Sequence, residues 1–342
     1  MHSPRAQRLP VVALAMAADL PCRLFGPDPA AAFAPLAARP PAAEPVTDFR
    51  VPGLRHLLHD VEVLVTGWEC PPLGPEELRL MPALRAVVHA AGTVKPLMHD
   101  AWWERGLRVS SAAAANALPV AEFTLATILL AGKQVGIAQR DYRHRRTFIN
   151  TRDSYPDSGN YGRTVGLLGA SAIGRRVADL LRPFDLEVLI SDPYLDEAEA
   201  LALGGRKADF DELLRRCDVV SLHAPVTSET VGILDRRRLA LMRDGATLIN
   251  TARGALVDYE ALTEELVAGR LHAVLDTTDP EPLPPVSPLF DLPNVLLTPH
   301  IAGSVGNEIR RLGDTALAEL GRYARGEHFA HPVSPDTLAI SA

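Results

Sequence analysis

The chain has only three cysteines, Cys22, Cys70 and Cys217, far apart and in no metal-ligand spacing. That excludes a disulfide framework and a zinc site, so no metal is expected and a reducing compartment is. Long apolar runs are also missing. The longest after the N-terminal segment, Phe123 to Ala131, is far below the ~20 residues of a membrane span. Charge of one sign is missing as well: 35 basic against 42 acidic residues give a formal charge of −7. That balance offers no general reason to expect nucleic acid or an anionic membrane as partner. No internal repeat is visible. Hydrophobic residues at 47% and charged residues at 23% exclude wholesale disorder, and 342 residues suit two domains better than one.

Proline is abundant, with 29 in 342 residues against a usual ~5%. Many lie between Pro27 and Pro45, where Ala and Pro alternate without clear period, and the stretch reads as a surface loop. Arg5 and Arg8 precede the apolar run Val11 to Ala18, which is the order of a secretory leader. The run is short, Asp19 follows at once, and Val-Val-Ala-Leu-Ala-Met suits a buried first strand. A cytoplasmic location is therefore expected.

Short apolar runs at 61–65, 84–88 and 107–109 alternate with helical patterns at 75–78 and 99–104, an α/β reading with a parallel sheet. The stretch from Leu118 to Ala131 is apolar on nearly every face and reads as a buried helix. After it, Arg140 to Asp153 has several arginines and no apolar period, which reads as a solvated arm. From Thr164 onward, six strand candidates (165–168, 187–190, 218–222, 247–250, 272–275 and 294–297) alternate with helical patterns. That describes a doubly wound sheet, whose ligands bind beyond the carboxyl ends of the strands. A last helical pattern runs from Ile309 to Tyr323.

The strand at 165–168 leads into Gly169-Ala170-Ser171-Ala172-Ile173-Gly174 and then a helix. Asp192, at the end of the next strand, lies 18 residues past Gly174. This context fits a dinucleotide: the first glycine makes the turn, the last lets the helix approach the strand, and free N–H groups at the helix start face pyrophosphate. Asp192 is placed to hold the adenosine ribose and to repel a 2′-phosphate, which favours NAD over NADP. Ser171 replaces the usual middle glycine. Its Cβ sits where close backbone approach is normally needed, while its hydroxyl offers a donor to phosphate.

Three later segments put polar groups just past strand ends: Ile249 to Gly254 with Arg253, Leu275 to Leu283 with Asp276 and Glu281, and Leu297 to Gly303 with His300. Arg253, Glu281 and His300 can therefore meet in one cleft. Together with the blocks Asn116 to Glu122, Leu222 to Pro225, Glu229-Thr230 and Gly245 to Gly254, the sequence resembles the D-isomer-specific 2-hydroxyacid dehydrogenase family over about residues 66–303.

The resemblance implies two Rossmann-like α/β domains with doubly wound parallel sheets. It also implies that the NAD-binding domain (118–303) is inserted in a substrate domain formed by 1–117 and 304–342, and that a homodimer forms mostly through the NAD-binding domain. It implies that Arg253 binds the substrate carboxylate and polarises its carbonyl, and that His300 is the acid in reduction and the base in oxidation. Glu281 would fix the histidine's tautomer and raise its pKa. Asp276 is similar to the residue that orients the nicotinamide carboxamide. Further cofactor contacts would come from Gly169, Ser171, Ala172, Ile173, Gly174, Asp192, His223, Ala224, Pro225, Thr230, Thr251, Ala252 and Gly303.

In the family a G-x-G-x-D loop holds the substrate carboxylate through backbone N–H groups. Here it reads Ala90-Ala91-Gly92-Thr93-Val94-Lys95. Ala91, Gly92 and Thr93 keep backbone donors, but Lys95 stands where the acid is usual. Formate dehydrogenases resemble a pattern with Gln at position 281, so Glu281 argues against formate. The expected activity is NAD-dependent interconversion of a small 2-keto acid and its 2-hydroxy acid. Two alternatives remain: an unusual substrate such as phosphite or a phosphonate, and a dinucleotide sensor resembling the C-terminal binding protein corepressors.

Overall fold

Each strand of this chain needs apolar cover, and the helices between the strands supply it. The computed structural model describes residues 8–339, so Arg5 and the outer limits of the expected domains, 1 and 342, lie outside the described residues. The chain divides into two compact units, Met1–Asn116 with Ser304–Ser341, and Ala117–Gly303.

The first unit contains β1 (Val12–Ala15), β2 (Val63–Thr66), β3 (Ala86–His89) and β4 (Arg108–Ser111), parallel and adjacent in that order. Every residue of β2 and β3 is buried, as expected for parallel strands covered on both faces. The N-terminal apolar run thus supplies β1. The fifth strand, Pro332–Val333, joins β4 antiparallel, a departure from the expected all-parallel sheet. Outside β1 the sheet ends in a single parallel bridge between Ala15 and Val46.

The proline-rich stretch is more than a surface loop. Pro29–Phe33 is a short helix, with proline in its first turn and the Asp28 carboxylate accepting from Ala31 N–H at 3.1 Å. Asp-Pro is a helix-start signal that the Ala/Pro composition masks. Phe33 is fully buried, with its ring edge-on to Phe25 at 4.8 Å.

The second unit contains β5 (Thr164–Leu168), β6 (Glu187–Ser191), β7 (Arg206–Lys207), β8 (Val219–Leu222), β9 (Thr247–Asn250), β10 (His272–Leu275) and β11 (Val295–Leu297). They form one parallel sheet in the order β11-β10-β9-β8-β5-β6-β7. The unexpected strand β7 is a two-residue edge with exposed cationic side chains, so it carries no apolar signal. Strand order reverses between β5 and β8, the kind of switch point at whose carboxyl edge doubly wound sheets bind ligands. Aspartates 209, 235 and 258 cap the helices that follow them, each accepting a backbone N–H in the first turn.

The helix Ala113–Gly132 is longer than its apolar core suggested. At 20 residues it is long and apolar enough to cross a membrane by length and composition, contrary to the expectation from Phe123 to Ala131. Ala121 and Ile128 are buried and pack into the core around Val165 and Leu167, and Thr124 and Thr127 are buried with them. The expected arm is also largely helical. Val135–Arg145 forms a helix with no buried residue, so its lack of an apolar period is no sign of irregular chain. Gln134, at φ 52°, separates it from the preceding helix.

Candidate active site

The loop after β5 is shaped by the absence of side chains. Gly169 has φ +100°, and a Cβ there would lie 2.7 Å from the Ala224 nitrogen and 2.8 Å from the His223 carbonyl carbon. A Cβ on Gly174 would lie 2.1 Å from the Gly169 oxygen. The turn after β5 therefore packs directly on the segment after β8, at the switch point. The helix Ala172–Leu181 starts here, and Ser171 is its N-cap, with Oγ accepting from Gly174 N–H at 3.4 Å. Arg175 N–H reaches the Ser171 carbonyl. The N–H groups of Ala172 and Ile173 in the first turn have no helical acceptor. Ser171 is thus a helix cap standing where the motif has glycine.

Asp192 lies beside this turn. One carboxylate oxygen accepts from Ala170 N–H at 2.7 Å and the other from Tyr194 N–H at 2.8 Å. His223 is buried, with Nε2 3.0 Å from the Ser221 hydroxyl and Nδ1 without a partner. Burial pushes its pKa down to about 3, so the ring is neutral. Pro225 and Thr230 are tied by a 2.6 Å bond from the threonine hydroxyl to the proline carbonyl. Thr251 is buried, its hydroxyl 3.1 Å from that of Thr124. A glycine cradle that a Cβ would fill, free N–H groups at a helix start and an orphaned buried imidazole nitrogen together fit a dinucleotide.

The residues expected to carry acid–base chemistry lie farther along the same strand edge. Arg253 follows β9, with its carbonyl accepting from Asn250 Nδ2 at 2.8 Å. Its guanidinium is largely desolvated, which lowers its pKa, while the Glu281 carboxylate opposes that shift. Gly254 lets the chain pass Thr278: a Cβ there would lie 2.1 Å from that residue's carbonyl. His300 has φ +55°, and its Nδ1 is 2.7 Å from Glu281 Oε1. A carboxylate only accepts, so Nδ1 carries the proton of this bond and Nε2 faces away from Glu281.

The buried Asp276 holds the histidine loop. Its carboxylate accepts from Ile301 N–H (2.7 Å), Ala302 N–H (2.9 Å) and the Thr298 hydroxyl (2.7 Å). Its carbonyl accepts from His300 N–H at 3.0 Å. Gly303 ends this unit. Arg253, Glu281, His300 and Asp276 all belong to the second unit, as do the residues around the glycine turn.

Ala91, Gly92 and Thr93 belong to the first unit, just past β3. The Ala91 carbonyl accepts from Ala112 N–H at 3.1 Å, and Thr93 Oγ1 accepts from Lys95 N–H at 3.3 Å. A residue that sequence reasoning missed supports this loop. His89 is buried, with Nδ1 2.8 Å from the Thr66 hydroxyl and a further hydrogen bond to the Thr93 backbone. Burial pushes its pKa down to about 4. Tyr259 and Asn250 were missed as well. Neither stands in a motif that marks a contact between loops.

A glycine turn of this kind at the switch point of a parallel sheet defines a dinucleotide-binding α/β protein. Residues 125–302 match the family model described as D-isomer specific 2-hydroxyacid dehydrogenase, NAD binding domain, and the chain belongs to that family. It is 36% identical over 266 residues to a D-3-phosphoglycerate dehydrogenase of Mycobacterium leprae, a match covering 78% of this chain and 49% of that protein. It is 35% identical over 241 residues to a glyoxylate reductase of Thermofilum pendens, covering 69% and 71%. The crystal structure of the TT0316 protein from Thermus thermophilus matches with a TM-score of 0.74 at 31% identity, over 94% of this chain and 99% of that one. The chain spans about half the length of the phosphoglycerate dehydrogenases it matches.

Proposed function

We propose that the protein is an NAD-dependent D-2-hydroxyacid dehydrogenase that reduces a small 2-keto acid when NADH is available. The observation that carries this reading is the 2.7 Å pair of His300 and Glu281 in the same unit as the desolvated Arg253. The guanidinium binds the substrate carboxylate through its planar donors and polarises the adjacent carbonyl. Nε2 of His300 gives a proton to the carbonyl oxygen in reduction and removes it in oxidation. Glu281 keeps Nδ1 protonated and the ring oriented.

The cofactor would be held by Gly169 to Gly174, Asp192, His223 to Pro225, Thr230 and Thr251 to Arg253. Asp276, His300 and Gly303 complete the set. When bound, it supplies the hydride for the carbonyl carbon. Addition of that hydride and one proton to the keto acid gives the hydroxy acid.

The reading extends to a cytoplasmic homodimer. In the second unit Val135, Tyr142, Phe148 and Tyr161 are exposed apolar side chains, and a second copy of the chain would cover them. The deciding experiment is NADH oxidation against glyoxylate, hydroxypyruvate and phenylpyruvate, with phosphite oxidation by NAD alongside. Turnover of a 2-keto acid is expected. Turnover of phosphite alone, or NADH binding without turnover of any of them, would overturn it.

A further inference from the structure

The proposed chemistry needs two loops to keep register. The turn Asn250 to Gly254 carries Arg253, and the segment Asp276 to Glu281 carries the partner of His300. They follow β9 and β10, so strand pairing fixes where they start but not how they lie against each other. One side chain spans them. Tyr259 opens the helix Tyr259–Val267, which Asp258 caps, and its ring packs against the core of the unit. Its hydroxyl donates to the Thr277 carbonyl at 2.6 Å.

The same hydroxyl faces the buried side chain of Asn250. That amide donates to the Arg253 carbonyl at 2.8 Å and accepts from Ala252 N–H at 3.1 Å. Burial raises the phenol's pKa, the Asn250 side chain opposes that, and Asp279 and Glu281 add to the rise, so the hydroxyl stays a neutral donor at working pH. Close packing of Gly254 on Thr278 completes the contact between the loops.

We propose that Tyr259 is a positioning residue for the reaction: its hydroxyl, through Thr277, holds the Glu281 segment against the Arg253 turn. This rests on the dehydrogenase reading above. The ring fills the core and the hydroxyl makes the tie, so removing the oxygen separates the two roles. Glu281 is four residues from the bonded carbonyl, close enough for loss of the tie to move its carboxylate relative to both His300 and Arg253.

The test is Tyr259→Phe in the full-length chain, with kinetics and ¹⁵N-histidine NMR. The His300 Nδ1 resonance is assigned through His300→Gln, and Glu281→Gln gives the signature of an altered Glu281 contact. Expected are a fall in kcat of about five- to tenfold, the effect of one neutral hydrogen bond, an unchanged KM for NADH, and a His300 Nδ1 resonance displaced toward that of Glu281→Gln. An unchanged resonance with unchanged kcat overturns the proposal. So does a variant that fails to fold, since the hydroxyl would then serve the fold and not the reaction. The resonance is read without substrate. If the wild type turns over no 2-keto acid, the dehydrogenase reading fails, while the tie between Tyr259 and the Glu281 segment is still decided.

Discussion

His300 and Glu281, 19 residues apart in sequence, are joined by a 2.7 Å hydrogen bond from Nδ1 to the carboxylate. The histidine backbone is left-handed, with φ +55°, and the loop around it hangs from the buried carboxylate of Asp276. The ring is therefore fixed from two directions, by its own nitrogen and by the backbone beneath it. His300→Ala is expected to lower turnover by roughly 10²–10⁴-fold, the range for loss of a positioned general acid, with NADH binding little changed. Steady-state kinetics and NADH titration check it, and near wild-type turnover would remove His300 from the mechanism.

Asp192 is the proposed basis of a preference for NADH over NADPH, and the structure gives it a second task. It holds Ala170 and Tyr194 N–H groups, so it shapes the glycine turn as well as facing the expected ribose. The wild type is expected to bind NADH more tightly than NADPH. Asp192→Ala is expected to weaken NADH by about 1.5–3 kcal/mol, typical for hydrogen bonds to a charged group, and to narrow the gap to NADPH. Titration of both cofactors decides it. Tighter NADPH binding by the wild type would sink the idea.

Ser171 gives a stability prediction that the motif alone does not. Ser171→Ala removes the N-cap of the helix Ala172–Leu181 and is expected to cost about 1 kcal/mol, whereas Ser171→Gly costs only a few tenths. Denaturant melts of the three proteins give the order. If the hydroxyl also donates to phosphate, Ser171→Gly weakens NADH binding in calorimetry; tighter binding would mean that the serine crowds the cofactor.

His89 predicts a pH dependence of stability. Its folded pKa of about 4 lies below the ~6.5 of an unfolded histidine. The unfolded state therefore takes up a proton first, and the histidine's contribution, full above ~6.5, is lost as pH falls toward its folded value. Between those limits the slope is about 1.4 kcal/mol per pH unit. His89→Gln is expected to flatten the wild-type profile by about that amount, read from urea midpoints at several pH values. Parallel profiles would contradict the buried neutral ring.

Much of the second unit was legible because its cues are local. A strand, a glycine turn and a helix occur in sequence at 164–181, and apolar runs mark the strands that are buried on both faces. The same locality explains what was missed. Strand β7 is two exposed cationic residues, recognisable only by its pairing with β6, and the helix at Pro29 was hidden in a biased composition.

The chain alone marks which residues stand at strand ends, because period and turn chemistry are written within a few neighbouring positions. It thereby determined the dinucleotide-type turn and the candidates Arg253, Glu281 and His300. What those groups touch was set by long-range packing. Ser171 became a helix cap, Asp276 a clamp on the histidine loop, and Tyr259 a tie between two loops. A hydrogen bond depends on direction and on a few tenths of an ångström. Those are set when distant segments pack together, and no spacing along the chain encodes them.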